Sequence, residues 1–114
     1  MDIQTRSLPQ LRIATVSGRI DHASAESLSS SLQTLLEECK GAGQSLLLDF
    51  SGVDYISSVG LRALMVASRQ AKAQGSRIAV AALQSIVKEV FAISRFDLVL
   101  PCYETVEAGM EALS

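Results

Sequence analysis

The chain has 114 residues, 48% of them apolar, 19% charged and 4% aromatic, which suffices for one hydrophobic core and is too short for two ordinary domains. Residues 1–114 therefore read as a single domain. Ten Lys and Arg against twelve Asp and Glu give a formal net charge of -2, with no basic excess to neutralise phosphates along a nucleic acid, so nucleic-acid binding is not expected.

The opening MDIQTRSLPQ has no charged stretch leading into an apolar one, and the longest apolar run is Ile78 to Leu83. This predicts a soluble cytoplasmic protein with no membrane insertion. Leu11, Ile13 and Val16 alternate with polar partners and predict a strand ending at Gly18, paired across Pro9 with an initial strand around Ile3. From Ala25, the residues Leu28, Leu32, Leu35, Leu36 and Cys39 recur at helical spacing, and Gly41 and Gly43 close that helix. Ser45 to Phe50, SLLLDF, runs apolar without alternation, as a strand covered on both faces does. A turn around Ser51 to Asp54, containing Gly52, leads to a second helix from Ser57 or Ser58. Its inward face is Leu61, Leu64, Met65, Ser68 and Ala71, and it ends at Gly75. A strand over Arg77 to Leu83, a short helix through Ile86, Val87, Val90 and Phe91, and a last strand over Leu98 to Leu100 stopped by Pro101 follow. Val106, Met110 and Leu113 mark a closing helix with Thr105 as its N-cap. Strands separated by helices require right-handed crossovers, so the expected fold is α/β, a mostly parallel central sheet with an N-terminal antiparallel hairpin and about four helices.

Few residues offer chemistry. Cys39 and Cys102 stand far apart with no ligand-spaced neighbour, so no metal site is expected; they read as buried reduced thiols, with a disulfide as the minor alternative. His22 is the one histidine and reads as a turn residue beside Asp21. No nucleophile elbow, Walker loop or GxGxxG is present, so neither a catalytic group nor a cofactor is expected. The informative stretch is Asp49 to Arg62, DFSGVDYISSVGLR, which sets the pair Ser57 and Ser58 where the unpaired amides of a new helix open outwards. Such a pair is ordinarily an N-cap. The same position tolerates a phosphate, because free amides and the macrodipole favour negative charge there. At 100° per residue, Arg62, Arg69 and Lys72 share an arc with no acid among them, a solvated face or a basic rim for an acidic partner. Glu104, Glu107 and Glu111 align on the last helix and read as a solvated face.

This stretch, with GRIDHASAESL before it, resembles the STAS family, in particular bacterial anti-sigma factor antagonists. The resemblance covers nearly the whole chain. It implies a non-enzyme that binds an anti-sigma factor, itself a serine protein kinase, when unphosphorylated. Phosphorylation of the serine two residues before the glycine releases it, and a serine phosphatase resets it. That serine is Ser58, with Ser57 as a competing acceptor, and the partner-binding residues implied are Asp21, Ser57, Ser58, Val59, Gly60 and Arg62. Many relatives carry Asp before the acceptor and Ser or Thr after it, where this chain has Ser57 and Val59. Two other readings stand beside this one: a STAS subunit of a transport complex docking on a transporter ATPase, and a small enzyme using Ser58 and His22.

Overall fold

The computed structural model describes residues 1–114 as a five-stranded sheet in the order β1-β2-β3-β4-β5 with four α-helices. β1 (Asp2–Leu8) and β2 (Leu11–Ile20) form the antiparallel hairpin, turning at Pro9 and Gln10. β3 (Ser45–Ile56), β4 (Ile78–Ala81) and β5 (Cys102–Tyr103) add to it in parallel. The crossovers are α1 (His22–Ala42), α2 (Ser58–Ala73) and α3 (Ser85–Ile93), the last followed by a 3-10 turn at Phe96–Leu98, and α4 (Val106–Leu113) closes the chain. The mixed α/β architecture is the one the alternation of patterns predicts.

Strands added one after another in the same direction through right-handed crossovers put their helices on one face. Accordingly, the main core joins α1, α2 and α3 to the inward residues Val16, Leu46, Leu48, Phe50 and Val80 of the sheet. A smaller cluster on the other face gathers Leu11, Ile13, Leu47, Ala79 and Ala81 under Leu113 of α4. The three leucines Leu46, Leu47 and Leu48 are thus all fully buried, alternately against the two helical layers. Gly109 lets α4 approach closely, since a Cβ there would lie 2.8 Å from Leu47 Cδ1. Gly109→Ala is expected to lower stability by about 1 kcal/mol, because the end of Leu47 can give way and helix propensity offsets part of the clash. A thermal melt lowered by about 4 °C would register this.

Several boundaries differ from the sequence expectations. β2 continues past Gly18, which crosses the strand at φ +93, as far as Ile20. The segment Ser51 to Asp54 is not a turn: β3 runs through it, with Val53 and Ile56 buried on the helix side. It does so by bulging, for the register with β2 slips between Thr15 and Ser17 and again between Gly18 and Arg19. Gly52 serves this close approach, because a Cβ there would meet Ser17 Cβ at 2.8 Å. α1 starts at His22 and passes through Gly41; Gly43, in the left-handed conformation, supplies the cap. In α2 the buried face is Gly60, Ala63, Leu64, Ala67, Ser68 and Ala71, with Leu61 and Met65 half-buried at its edge. Small residues predominate there because α2 packs closely on α1. β4 is confined to Ile78–Ala81, ending at Ala82 with φ +61.

The predicted last strand at Leu98 to Leu100 is instead the 3-10 turn and its exit, with Leu98 77% exposed. The strand follows Pro101. Pro101 has no amide to donate, but its carbonyl accepts from Val80 at 3.0 Å and so starts the ladder of an edge strand. Cys39 is buried, whereas Cys102 lies exposed on that edge strand. The Cys102 thiol nevertheless turns back towards the Leu100 carbonyl at 3.4 Å, and desolvation, reinforced by Asp97, pushes its pKa up to about 11. Glu104 precedes α4 and pairs with Lys88 at 3.0 Å, so only Glu107 and Glu111 lie on that helix. No helix is long and apolar enough to cross a membrane.

Candidate functional site

Two neighbouring parallel strands, β2 and β3, end together at Ile20 and Ile56, and each feeds directly into a helix. The two helix N-termini therefore open side by side at the carboxyl edge of the sheet. Asp21 caps α1 and Ser57 caps α2, and the Ser57 amide donates to the Ile20 carbonyl at 2.8 Å, tying one start to the other.

At the first start, the Asp21 carboxylate accepts from the Ser24 amide at 3.0 Å while the Ser24 hydroxyl accepts from the Asp21 amide at 2.9 Å, a reciprocal capping box. The Ser24 amide, then its hydroxyl, hold the Asp21 carboxyl below its ordinary 3.8; Arg19, 3.9 Å away, lowers it further. A depressed carboxyl pKa stabilises the fold above the unfolded-state value, and that stability is lost as pH falls through the folded one. The melting-temperature difference between the wild type and Asp21→Asn is therefore expected to be full near neutrality and to shrink steadily below about pH 4. Thermal melts of both proteins across that range would measure it; a constant difference would contradict the assignment.

At the second start, the serine pair divides its roles. Ser57 is half-buried and its hydroxyl accepts from the Gly60 amide at 3.1 Å. Ser58 is the first helical residue, is exposed, and takes no part in the cap. Ser57→Ala is accordingly expected to cost about 1 kcal/mol, read as a melting temperature lower by about 4 °C.

Around this pair, Val59 is 36% exposed, and Gly60 is buried against the strand ends. A Cβ at Gly60 would lie 2.7 Å from Ile20 Cγ2 and 2.9 Å from Ile56 Cγ1, so only glycine lets the helix start this close to the sheet. Arg62 is exposed one turn further along α2. The structure thus gathers Asp21, Ser57, Ser58, Val59 and Gly60 at one corner with Arg62 beside them, while Arg69 and Lys72 lie farther down the helix. His22, exposed, is the first residue of α1. Two residues not singled out from the sequence also belong here: the Arg19 guanidinium stacks over the Tyr55 ring at 3.8 Å. Their cross-strand pairing depends on the second register slip, a signal with no local trace in the sequence. A cavity of about 350 Å³ lined by Leu83, Phe91, Asp97 and Cys102 shares no residue with the corner. The corner is exposed, with His22, Ser58, Val59 and Arg62 all open to solvent.

The STAS domain model matches residues 2–109 of the chain. The chain belongs to the STAS domain family. This STAS domain is 30% identical over 112 residues to BtrV, a candidate anti-sigma factor antagonist of Bordetella bronchiseptica, covering 98% of the chain and 94% of the relative. Its fold matches the crystal structure of a candidate anti-sigma factor antagonist from Thermotoga maritima, with a TM-score of 0.87, 17% identity, and 97% and 93% of the two chains covered. It also matches the phosphorylated form of the Bacillus cell fate determinant SpoIIAA, with a TM-score of 0.72, 17% identity, and 99% and 100% covered.

Proposed function

We propose that this STAS domain is an anti-sigma factor antagonist, itself not an enzyme, that works by partner switching in the cytoplasm. Unphosphorylated, it binds an anti-sigma factor that is also a serine protein kinase, and the sigma factor is set free. The kinase then transfers the γ-phosphoryl group of ATP to the Ser58 hydroxyl oxygen: a new P–O bond forms, the bond to ADP breaks, and the hydroxyl proton is released. A serine phosphatase restores the free hydroxyl. The partner-binding surface is Asp21, Ser57, Ser58, Val59, Gly60 and Arg62.

The observation that carries this reading is the division of labour in the serine pair. Ser57 is held by its cap bond to Gly60, and Ser58 alone is exposed and uncommitted. A kinase can approach Ser58 without unwinding the helix, and the amides preceding the first helical bond, from Leu61 to Ser57, accommodate the added charge. The names of the relatives, anti-sigma factor antagonists, supply the class of partner.

Incubation with the cognate kinase and ATP followed by mass spectrometry tests the reading. Wild type and Ser57→Ala are expected to gain one phosphoryl group and Ser58→Ala none. Modification of Ser58→Ala to the wild-type extent, or no modification of any of the three, would overturn it.

A further inference from the structure

The switch needs an account of where the phosphate's charge goes, and the cations of the chain narrow the choice. Among its ten Lys and Arg, Arg12 is paired with Glu38, Lys88 with Glu104, and Arg77 donates to the Ala112 carbonyl at 2.9 Å. At the corner itself, Arg19 is held between the Tyr55 ring and the Asp21 carboxylate. Arg62 is exposed, forms no ion pair, and stands four residues after Ser58 on the same helix. Residues four apart on a helix bring their Cβ atoms to about 5–6 Å, and the order anion first, cation second is the favourable one. Arg69 and Lys72 are too distant, since at about 1.5 Å per residue Arg69 begins roughly 16 Å along the axis from Ser58.

Resting on the reading of Ser58 as the phosphoacceptor, we infer that Arg62 is the built-in counter-ion of the phosphate. In the free-hydroxyl state Arg62 is an unpaired cation presented beside Ser58, on a helix that contains no acid. In the phosphorylated state its guanidinium forks onto two phosphate oxygens, a geometry suited to Arg. Phosphorylation then changes two features of the docking surface at once. It adds an anion, and it withdraws the cation available to an acidic partner. The ionisable residues that adjoin the two helix starts in sequence are Asp21, His22 and Glu26 on the α1 side and Asp54 on β3. Two of these carboxylates, Asp21 and Asp54, sit close in sequence to the paired strand ends Ile20 and Ile56, which makes a local cation at position 62 the more necessary.

The test uses the full chain with phosphoserine incorporated at position 58 during translation, so that no kinase is required. The second pKa of the phosphate, near 6 for a free phosphoserine, is read by 31P NMR titration. It is expected to rise by about 0.3 unit in Arg62→Gln, the scale of an exposed pair four residues apart. Arg62→Lys, which keeps the charge but not the fork, is expected to recover only part of that shift, and Arg69→Gln to leave the titration at the wild-type value. The Arg62 Nε–H resonance should also move on phosphorylation. Identical titrations in wild type and Arg62→Gln, or an equal rise in Arg69→Gln, would overturn the pairing. A kinase that ignores Ser58 would overturn the function proposed above yet leave this measurement standing, so the two failures are distinguishable.

Discussion

Phosphorylated on Ser58, the protein is expected to bind its anti-sigma factor roughly a hundredfold or more weakly than the unmodified form, while its melting temperature stays level or rises. Ser58→Asp, with half the added charge, should lose at least roughly tenfold, and Ser58→Ala should bind like the wild type. The reasoning is electrostatic. A phosphate brings about 1.5 to 2 negative charges to a surface that a partner has closed over a neutral hydroxyl, beside the Asp21 carboxylate. Burying that charge without a matching cation on the partner costs several kcal/mol in desolvation, and a differential of about 3 kcal/mol already exceeds a hundredfold. In the free protein the same charge is welcome, because it sits at the positive end of α2 beside amides that lack helical partners, worth about 0.3–1 kcal/mol. The opposed signs are the diagnostic. Isothermal titration calorimetry gives the binding loss and a thermal melt the stability. Undiminished binding of the phosphorylated form would overturn the switch, and a falling melting temperature would mean that the helix start had been disrupted instead.

What the sequence makes legible follows from how local each signal is. The hairpin, α1, the centre of β3 and the Thr105 cap are written in periodicity and in single capping residues; the Thr105 hydroxyl accepts from the Ala108 amide at 3.0 Å. Ser51 to Asp54 is polar and contains glycine, so it reads as a turn. Its continuation as strand is imposed by β2, where Ser17 leaves no space for a Cβ at position 52. The apolar Leu98 to Leu100 reads as strand, yet the ladder of β4 starts from the Pro101 carbonyl and leaves Leu98 in solvent. The candidate corner shows the same division. That a serine caps α2 is readable; which serine does so depends on where Ile56 ends, since shifting the start by one residue would exchange the bound and the free hydroxyl. Likewise Arg19 meets the Tyr55 ring only because β3 bulges opposite Gly18, bringing Arg19 into register with Tyr55 rather than Asp54.

Gly60→Val carries the second large expected effect, and it connects the packing of the fold to its function. The first added carbon alone would lie 2.7 Å from Ile20 Cγ2 and 2.9 Å from Ile56 Cγ1, and both isoleucines are buried, branched and held at strand ends. Neither neighbour is the tip of a flexible chain, so the strain passes to the helix start. Overpacking of this kind costs about 1–3 kcal/mol; valine regains only a few tenths over glycine in helix propensity, leaving a net loss of about 2 kcal/mol. The melting temperature should fall by about 8 °C. Gly41→Ala is the matched control, since nothing lies within 4 Å of a Cβ at that exposed helical position, and it should gain about 0.5 kcal/mol. The functional consequence is the sharper one. Relief of the clash moves the first turn of α2 outwards from Ile20 and Ile56, carrying Ser58 away from Asp21, whose position is fixed by its own capping box on α1. At a temperature where Gly60→Val is still folded, its affinity for the anti-sigma factor should therefore drop by at least roughly tenfold. Wild-type affinity in a folded Gly60→Val would show that the partner does not read Asp21 and Ser58 together, and docking would have to be assigned to one helix start alone.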